Sequence, residues 1–224
     1  MPSTPVVAIH LLNAGNELGN HVDALRAALE PVIASVVARL PLQGVDVLVY
    51  HDPASTIPEL GAGGYTSSAH RVFLPIDVHR HAADPLPFGH ALRRLLAHEL
   101  HHCARWAGPG YGHTLGEALV SEGLACLFES EACGGDPPFY ACALSHAQAA
   151  AAAEQARASW DRTDYGHAPW FYGAQPDALP RHAGYALGYA MALRHARRTG
   201  LQASQLAHAP ASAFLPDLHE GSCA

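Results

Sequence analysis

The chain is poor in the features that mark several large protein classes. Charged residues make up only 15% of its 224 positions, the formal net charge is −7, and the 13 Lys and Arg form no basic stripe. Phosphate binding needs clustered cations, so nucleic acid is excluded as the main partner. The five cysteines (Cys103, Cys126, Cys133, Cys142 and Cys223) are an odd number without C-x-x-C spacing. That argues against a disulfide framework and for reduced, mostly buried thiols. No uninterrupted apolar run reaches membrane-spanning length, and the N-terminal MPSTPVVAIHLLNAGNELG lacks the basic and apolar regions of a signal peptide. The expectation is a soluble cytoplasmic protein with no membrane partner. A hydrophobic content of 49% is that of a globular chain, and the length allows a substantial core within a single domain, residues 1–224.

Histidine, in contrast, is abundant, with 17 copies. Three residues of the stretch HALRRLLAHELHHCARW, His98, Glu99 and His102, form H-E-x-x-H on a segment with helical periodicity. Residues four apart lie one turn above the other on a helix, so both imidazoles can reach one metal ion. Glu99 then stands beside that ion, placed to take a proton from metal-bound water. In so histidine-rich a chain the pattern arises by chance with a probability of about one in twenty, so its surroundings matter more. Leu92, Leu96, Leu100 and Cys103 form an apolar stripe on another side of the same helix, which leaves the histidines as a separate, ligand-bearing face.

Glu122 and Glu117 compete as third ligand. Gly108-Pro109-Gly110 ends the first helix, and Thr114 with Glu117 three residues on reads as a capping box that opens a second. A short connection makes the two helices antiparallel neighbours. With a rise of about 1.5 Å per residue, His102 and Glu122 come to similar heights and Glu117 comes too early. Glu122 also interrupts the apolar stripe of Leu115, Ala118, Leu119 and Cys126. A carboxylate there is costly unless it is paired or binds metal. Glu117 falls on the wetter side and already has a use as a cap. Glu122 is therefore favoured, with Glu117 second and His113 third.

The remainder reads as scaffold with a few open questions. Val6–Leu12 and Val45–Tyr50 are strands, and the segment 20–40 is a helix that Pro31 kinks or splits. The piece 61–76 is a glycine-rich turn feeding a third strand around Val72–Leu74, either an ordinary hairpin or an edge offered to an extended substrate. His79, His81 and His90 surround a proline-containing loop as solvent-exposed residues. Tyr140–Trp160 is an alanine-rich helix. The aromatic-rich connection from Asp161 to Pro180 is long enough to be a lid or binding loop; Asp161, Asp164 and His167 in it either hold a second metal or, the preferred reading, cap and solvate the loop. Arg181–Arg198 is the last long helix, before a short helix and a frayed end. On it His182, Tyr185 and Tyr189 share a face, which serves either as an oxyanion-stabilising surface or as a buried aromatic packing face.

AHELHHCAR at Ala97–Arg105, TLGEALVSEGLA at Thr114–Ala125 and LPRHAGYALGY at Leu179–Tyr189 together resemble the YjaZ-like zinc-dependent proteases. The wider gluzincin class is similar in taking its third ligand from a glutamate on the following helix, which S-E-G-L-A places at Glu122. The spacing from His102 is one residue longer than in the zinc aminopeptidases. Their upstream G-x-M-E-N block is absent here; GAGGYT at Gly61–Thr66 stands in a similar place without a carboxylate. The resemblance implies an α+β, zincin-like fold with a small N-terminal sheet and a mainly helical C-terminal half. It implies a peptide or protein substrate, a Zn2+ cofactor held by His98, His102 and Glu122, and Glu99 as general base. Tyr185, ahead of His182 and Tyr189, would assist at the oxyanion, and endopeptidase action is expected over aminopeptidase action. Two other chemistries fit the same residues. One is an Fe(II) oxygenase built on the two histidines and the carboxylate; the other is a catalytically inactive, metal-stabilised binding module.

Overall fold

A computed structural model describes residues 6–83, 85–175 and 178–218, and their contacts cluster into two compact units, residues 1–107 and 108–224. The architecture is α+β, with a small sheet near the N-terminus and a mostly helical remainder.

In the first unit, strand β1 (Val7–Leu11) leads through helix α1 (Val22–Val37) to β2 (Val45–His51), and the two strands are parallel. The apolar positions of β2 alternate, so Val45, Val47 and Val49 are buried and Asp46 is exposed. That period of two is what a half-covered strand requires. Strands β3 (Tyr65–Ser68) and β4 (Arg71–Ile76) form a hairpin whose β4 pairs parallel to β2. The order across the sheet is β1-β2-β4-β3, with β3 at the edge and a register irregularity between Thr66 and Ser68. The glycine-rich piece read as a turn thus includes a strand of its own. Helix α1 runs unbroken through Pro31. A short helix α2 (Val78–Ala83) precedes α3 (Pro85–Trp106), the helix of the H-E-x-x-H residues. Leu92, Leu96 and Leu100 are fully buried, and α3 packs on α1, β3 and β4.

The second unit is helical. Thr114 caps α4 (Leu115–Cys133) in the capping box that its sequence announces, and Ser145 with Gln148 does the same for α5 (His146–Ala158). A 3-10 turn covers Phe139–Cys142, so the alanine-rich helix begins later than its composition suggests. Helix α6 (His167–Tyr172) lies within the connection read as structureless, and α7 (Ala183–Thr199) follows it. The centre of this unit is the pairing of α4 with α7. A Cβ at Gly123 would lie 2.1 Å from the carbonyl oxygen of Gly188, and one at Gly188 would lie 2.3 Å from that of Leu119. Only glycine permits backbones to approach that closely. The glycine of S-E-G-L-A and the second glycine of A-G-Y-A-L-G-Y are therefore packing residues. After Gly200, which closes α7 with a positive φ, the chain runs through short 3-10 turns. Among the described residues, Cys103, Cys126, Cys133 and Cys142 form no disulfide, and no helix is long and apolar enough to cross a membrane. Cys223 lies outside the described residues.

Candidate metal centre

On α3, His98, Glu99 and His102 are all buried. The two histidine Nε2 atoms lie 3.1 Å apart, with the rings nearly perpendicular. Two imidazole nitrogens each about 2.0–2.1 Å from one tetrahedral zinc would be separated by roughly 3.3 Å. The pair therefore has the spacing of two ligands that share an ion.

Glu99 is held from the sheet. The Thr66 hydroxyl on β3 lies 2.7 Å from Glu99 Oε2 and 2.9 Å from the Glu99 carbonyl, both within donating distance. Gly64, just before the strand, leaves room for the carboxylate, since a Cβ there would lie 2.4 Å from Glu99 Oε1. Cys103, next on the helix, donates its thiol to the Ser68 carbonyl at 3.7 Å. Burial above all, and then the charge of Glu99, pushes that thiol up to about 12, so it stays protonated and is no nucleophile.

Glu122 sits on α4 and is buried there. The Tyr111 hydroxyl donates to Glu122 Oε1 at 2.6 Å, and the Ser121 hydroxyl donates to the Tyr111 carbonyl, also at 2.6 Å. Burial raises the Tyr111 phenol well above its ordinary range, and the Glu122 carboxylate raises it further. Glu117 is occupied at the helix entrance, where its Oε2 accepts from the backbone N–H groups of His113 (2.8 Å) and Thr114 (3.0 Å). Those two bonds, Thr114's first, hold its carboxyl below the usual range. The His113 side chain is exposed.

Among the described residues, His98, His102 and Glu122 are the one group of His, Cys, Asp and Glu side chains that could hold a metal ion. Two imidazoles and a carboxylate are a zinc-type donor set. Glu117 and His113, the rival third ligands, are not part of it.

The three residues considered for an oxyanion role separate. Tyr185, in the first turn of α7, packs its ring on Tyr140 and Phe171 with centroids 5.1 and 5.2 Å away. It lies near enough to Tyr111 for its charge to oppose ionisation of the Tyr111 phenol. His182 precedes α7 in a left-handed conformation, φ 67°, with Nδ1 3.3 Å from the Phe171 carbonyl. Tyr189 is buried farther along the helix. Asp161, Asp164 and His167 do not gather. Asp164 pairs with Arg162 on the surface, whereas His167 stacks on Phe171 at 4.4 Å and meets the Tyr165 hydroxyl at 3.1 Å. Burial pushes the His167 imidazole down, against a smaller upward pull from Glu122. His79 meets His51 edge-on at 5.4 Å and His90 is exposed; the His81 side chain lies outside the described residues.

Thr66 and Tyr111 are the site residues that sequence reasoning missed. A threonine in T-S-S carries no motif, and its partner is 33 residues away. Tyr111 had a signal, a lone tyrosine between two glycines immediately before a capping box. No curated protein and no solved structure matches the chain. A family does, over residues 25–216, and by that match the chain belongs to DUF2268, whose description is predicted Zn-dependent protease.

Proposed function

We propose that this chain is a zinc endopeptidase, with His98, His102 and Glu122 as the metal ligands. The observation that supports it most is the pair of buried histidine nitrogens 3.1 Å apart on α3, the spacing of two ligands on one ion; the buried glutamate that interrupts the apolar stripe of α4 supplies the third donor. A zinc ion held there supplies a Lewis acid for the scissile carbonyl and lowers the pKa of bound water.

The chain's own residues do the rest. Glu99, anchored through Oε2 by Thr66, takes a proton from the attacking water and returns it to the nitrogen of the leaving amine. Tyr185 donates a hydrogen bond from its phenol to the oxyanion and keeps its proton. Its electrostatic effect on Tyr111, whose hydroxyl bonds Glu122, favours it over His182 and Tyr189. An extended peptide or protein segment adds to the β3 edge of the sheet, whose strand also carries Thr66. The segment 61–66 holds no carboxylate to grip a free amino end, which favours internal cleavage.

The test is metal content, measured without chelator or affinity-tag metal, together with cleavage of peptides blocked at both ends. Wild type should hold about one zinc per chain, Glu122→Ala should lose it, and Glu117→Ala and Glu99→Gln should keep it. Glu99→Gln should lower cleavage by about 10²- to 10⁴-fold. Equal metal in every variant, or full cleavage by Glu99→Gln, would sink the reading. Iron with oxygen-dependent turnover would identify the oxygenase instead.

A further inference from the structure

We infer that Tyr111 is the positioning residue of the metal site, fixing the carboxylate of Glu122 in the orientation that binds the ion. The inference rests on Glu122 being a ligand, as proposed above.

The loop before α4 is built to deliver this one side chain. Gly110 and Gly112 flank Tyr111 with φ of +86° and +110°, a region that side chains rarely enter. A Cβ at Gly112 would also lie 2.2 Å from that of Glu117, so a larger residue there would push the loop off the helix. The loop is pinned to α4 at successive points. Glu117 Oε2 accepts from the His113 and Thr114 backbones, Ser121 Oγ donates to the Tyr111 carbonyl, and the Tyr111 hydroxyl donates to Glu122 Oε1. The tether thus begins at the capping box and ends on the ligand, within two turns of one helix.

A ligand carboxylate on a flexible side chain can rotate, and ordering it on binding reduces affinity. A short hydrogen bond from the half-buried Tyr111 phenol removes that freedom beforehand. Partners of metal ligands typically contribute about 10- to 100-fold to metal affinity. Tyr165 provides an internal control. It belongs to the same unit and feels the charge of Glu122, yet its hydroxyl meets His167 Nδ1.

The experiment is zinc competition against a chromophoric chelator for full-length wild type, Tyr111→Phe, Tyr165→Phe and Glu122→Ala, with thermal melts of each zinc-free form. Tyr111→Phe should bind zinc about 10- to 100-fold more weakly than wild type, while its zinc-free form loses a few degrees of melting temperature at most, stays folded at the assay temperature and keeps the far-ultraviolet circular dichroism of wild type. Tyr165→Phe should match wild type in affinity. If Tyr111→Phe binds zinc as wild type does while Glu122→Ala has lost it, the positioning role is wrong and the metal site stands. If affinity falls only in step with loss of folded zinc-free protein, Tyr111 is a packing residue and the inference fails. If wild type binds no zinc, or Glu122→Ala binds it fully, the metal reading itself fails first.

Discussion

Each of the two units holds one carboxylate of the proposed site under a hydroxyl, but they do so by different routes. In the first, Glu99 is met by Thr66 from a strand 33 residues upstream, so its orientation depends on the sheet and α3 being assembled. In the second, Glu122 is met by Tyr111 from the entry loop of its own helix, 11 residues upstream. The proposed proton-transfer group is thus set by long-range packing and the proposed metal ligand by local chain geometry. Both carboxylates are buried, where a charge without such donors would be expensive.

The comparison is sharpest at Thr66. A hydrogen bond to a charged group contributes about 1.5–3 kcal/mol, and losing it lets Glu99 swing away from the water it must activate. Thr66→Val should therefore lower turnover about 10- to 100-fold with zinc content unchanged, and Thr66→Ser should restore most of it. Loss of zinc along with turnover would show that the two carboxylates are not held independently.

Packing separates the units next. Gly89 lies inside α3 with only ordinary contacts, the Ala28 Cβ 3.7 Å from where its own would stand, whereas Gly123 in α4 faces backbone at 2.1 Å. Gly89→Ala should stabilise by up to about 1 kcal/mol through helix propensity. Gly123→Ala should cost about 1–3 kcal/mol and lower the melting temperature by several degrees, because backbone cannot yield as a side chain can. Equal melting temperatures for the two variants would remove the distinction.

The smallest effect concerns Glu117. Its carboxyl is held below the ordinary value of 4.5 by the backbone bonds of Thr114 and His113. A depressed acid gives stability that is fully present above its unfolded value and is lost as pH falls through the folded one. Denaturant midpoints of wild type should therefore decline on the acid side of 4.5 more steeply than those of Glu117→Gln. The variant should be less stable by about 1 kcal/mol at neutral pH, the usual worth of a cap.

Periodic elements were legible in the sequence. The β1, β2 and β4 strands, α1, α3, α7 and the cap of α4 follow from apolar spacing and from Thr114 with Glu117. The candidate metal group was legible for the same reason, since His98, His102 and Glu122 are fixed by helical repeat and by the cost of a carboxylate on an apolar stripe. Strand β3 was hidden because Y-T-S-S is short and polar, and its pairing with β4 is a tertiary fact. Helix α6 was hidden by Gly166, Pro169 and Gly173, although Trp170 and Phe171 are buried. Thr66 escaped for the reason β3 did. Tyr111 escaped because a glycine loop was taken as a break between helices when it is also a support for one side chain.

Past α7 the chain makes no further long helix or strand among the described residues, yet it ends its described course ordered. Asp217 gathers the reason into one side chain. Its carboxylate takes two bonds from Arg198 and one from His195, its carbonyl accepts from Arg194, and Phe214 stacks on His195 at 4.0 Å. These contacts close a loop from the end of α7 back onto its own last two turns, and two further bonds hold the same segment: Glu131 on α4 accepts from the Ala203 backbone, and Arg157 on α5 donates to the Leu218 carbonyl. Because the segment is tied to α7, α4 and α5 at once, its amide hydrogens should exchange more slowly than those of a frayed end, through an opening that breaks these bonds together.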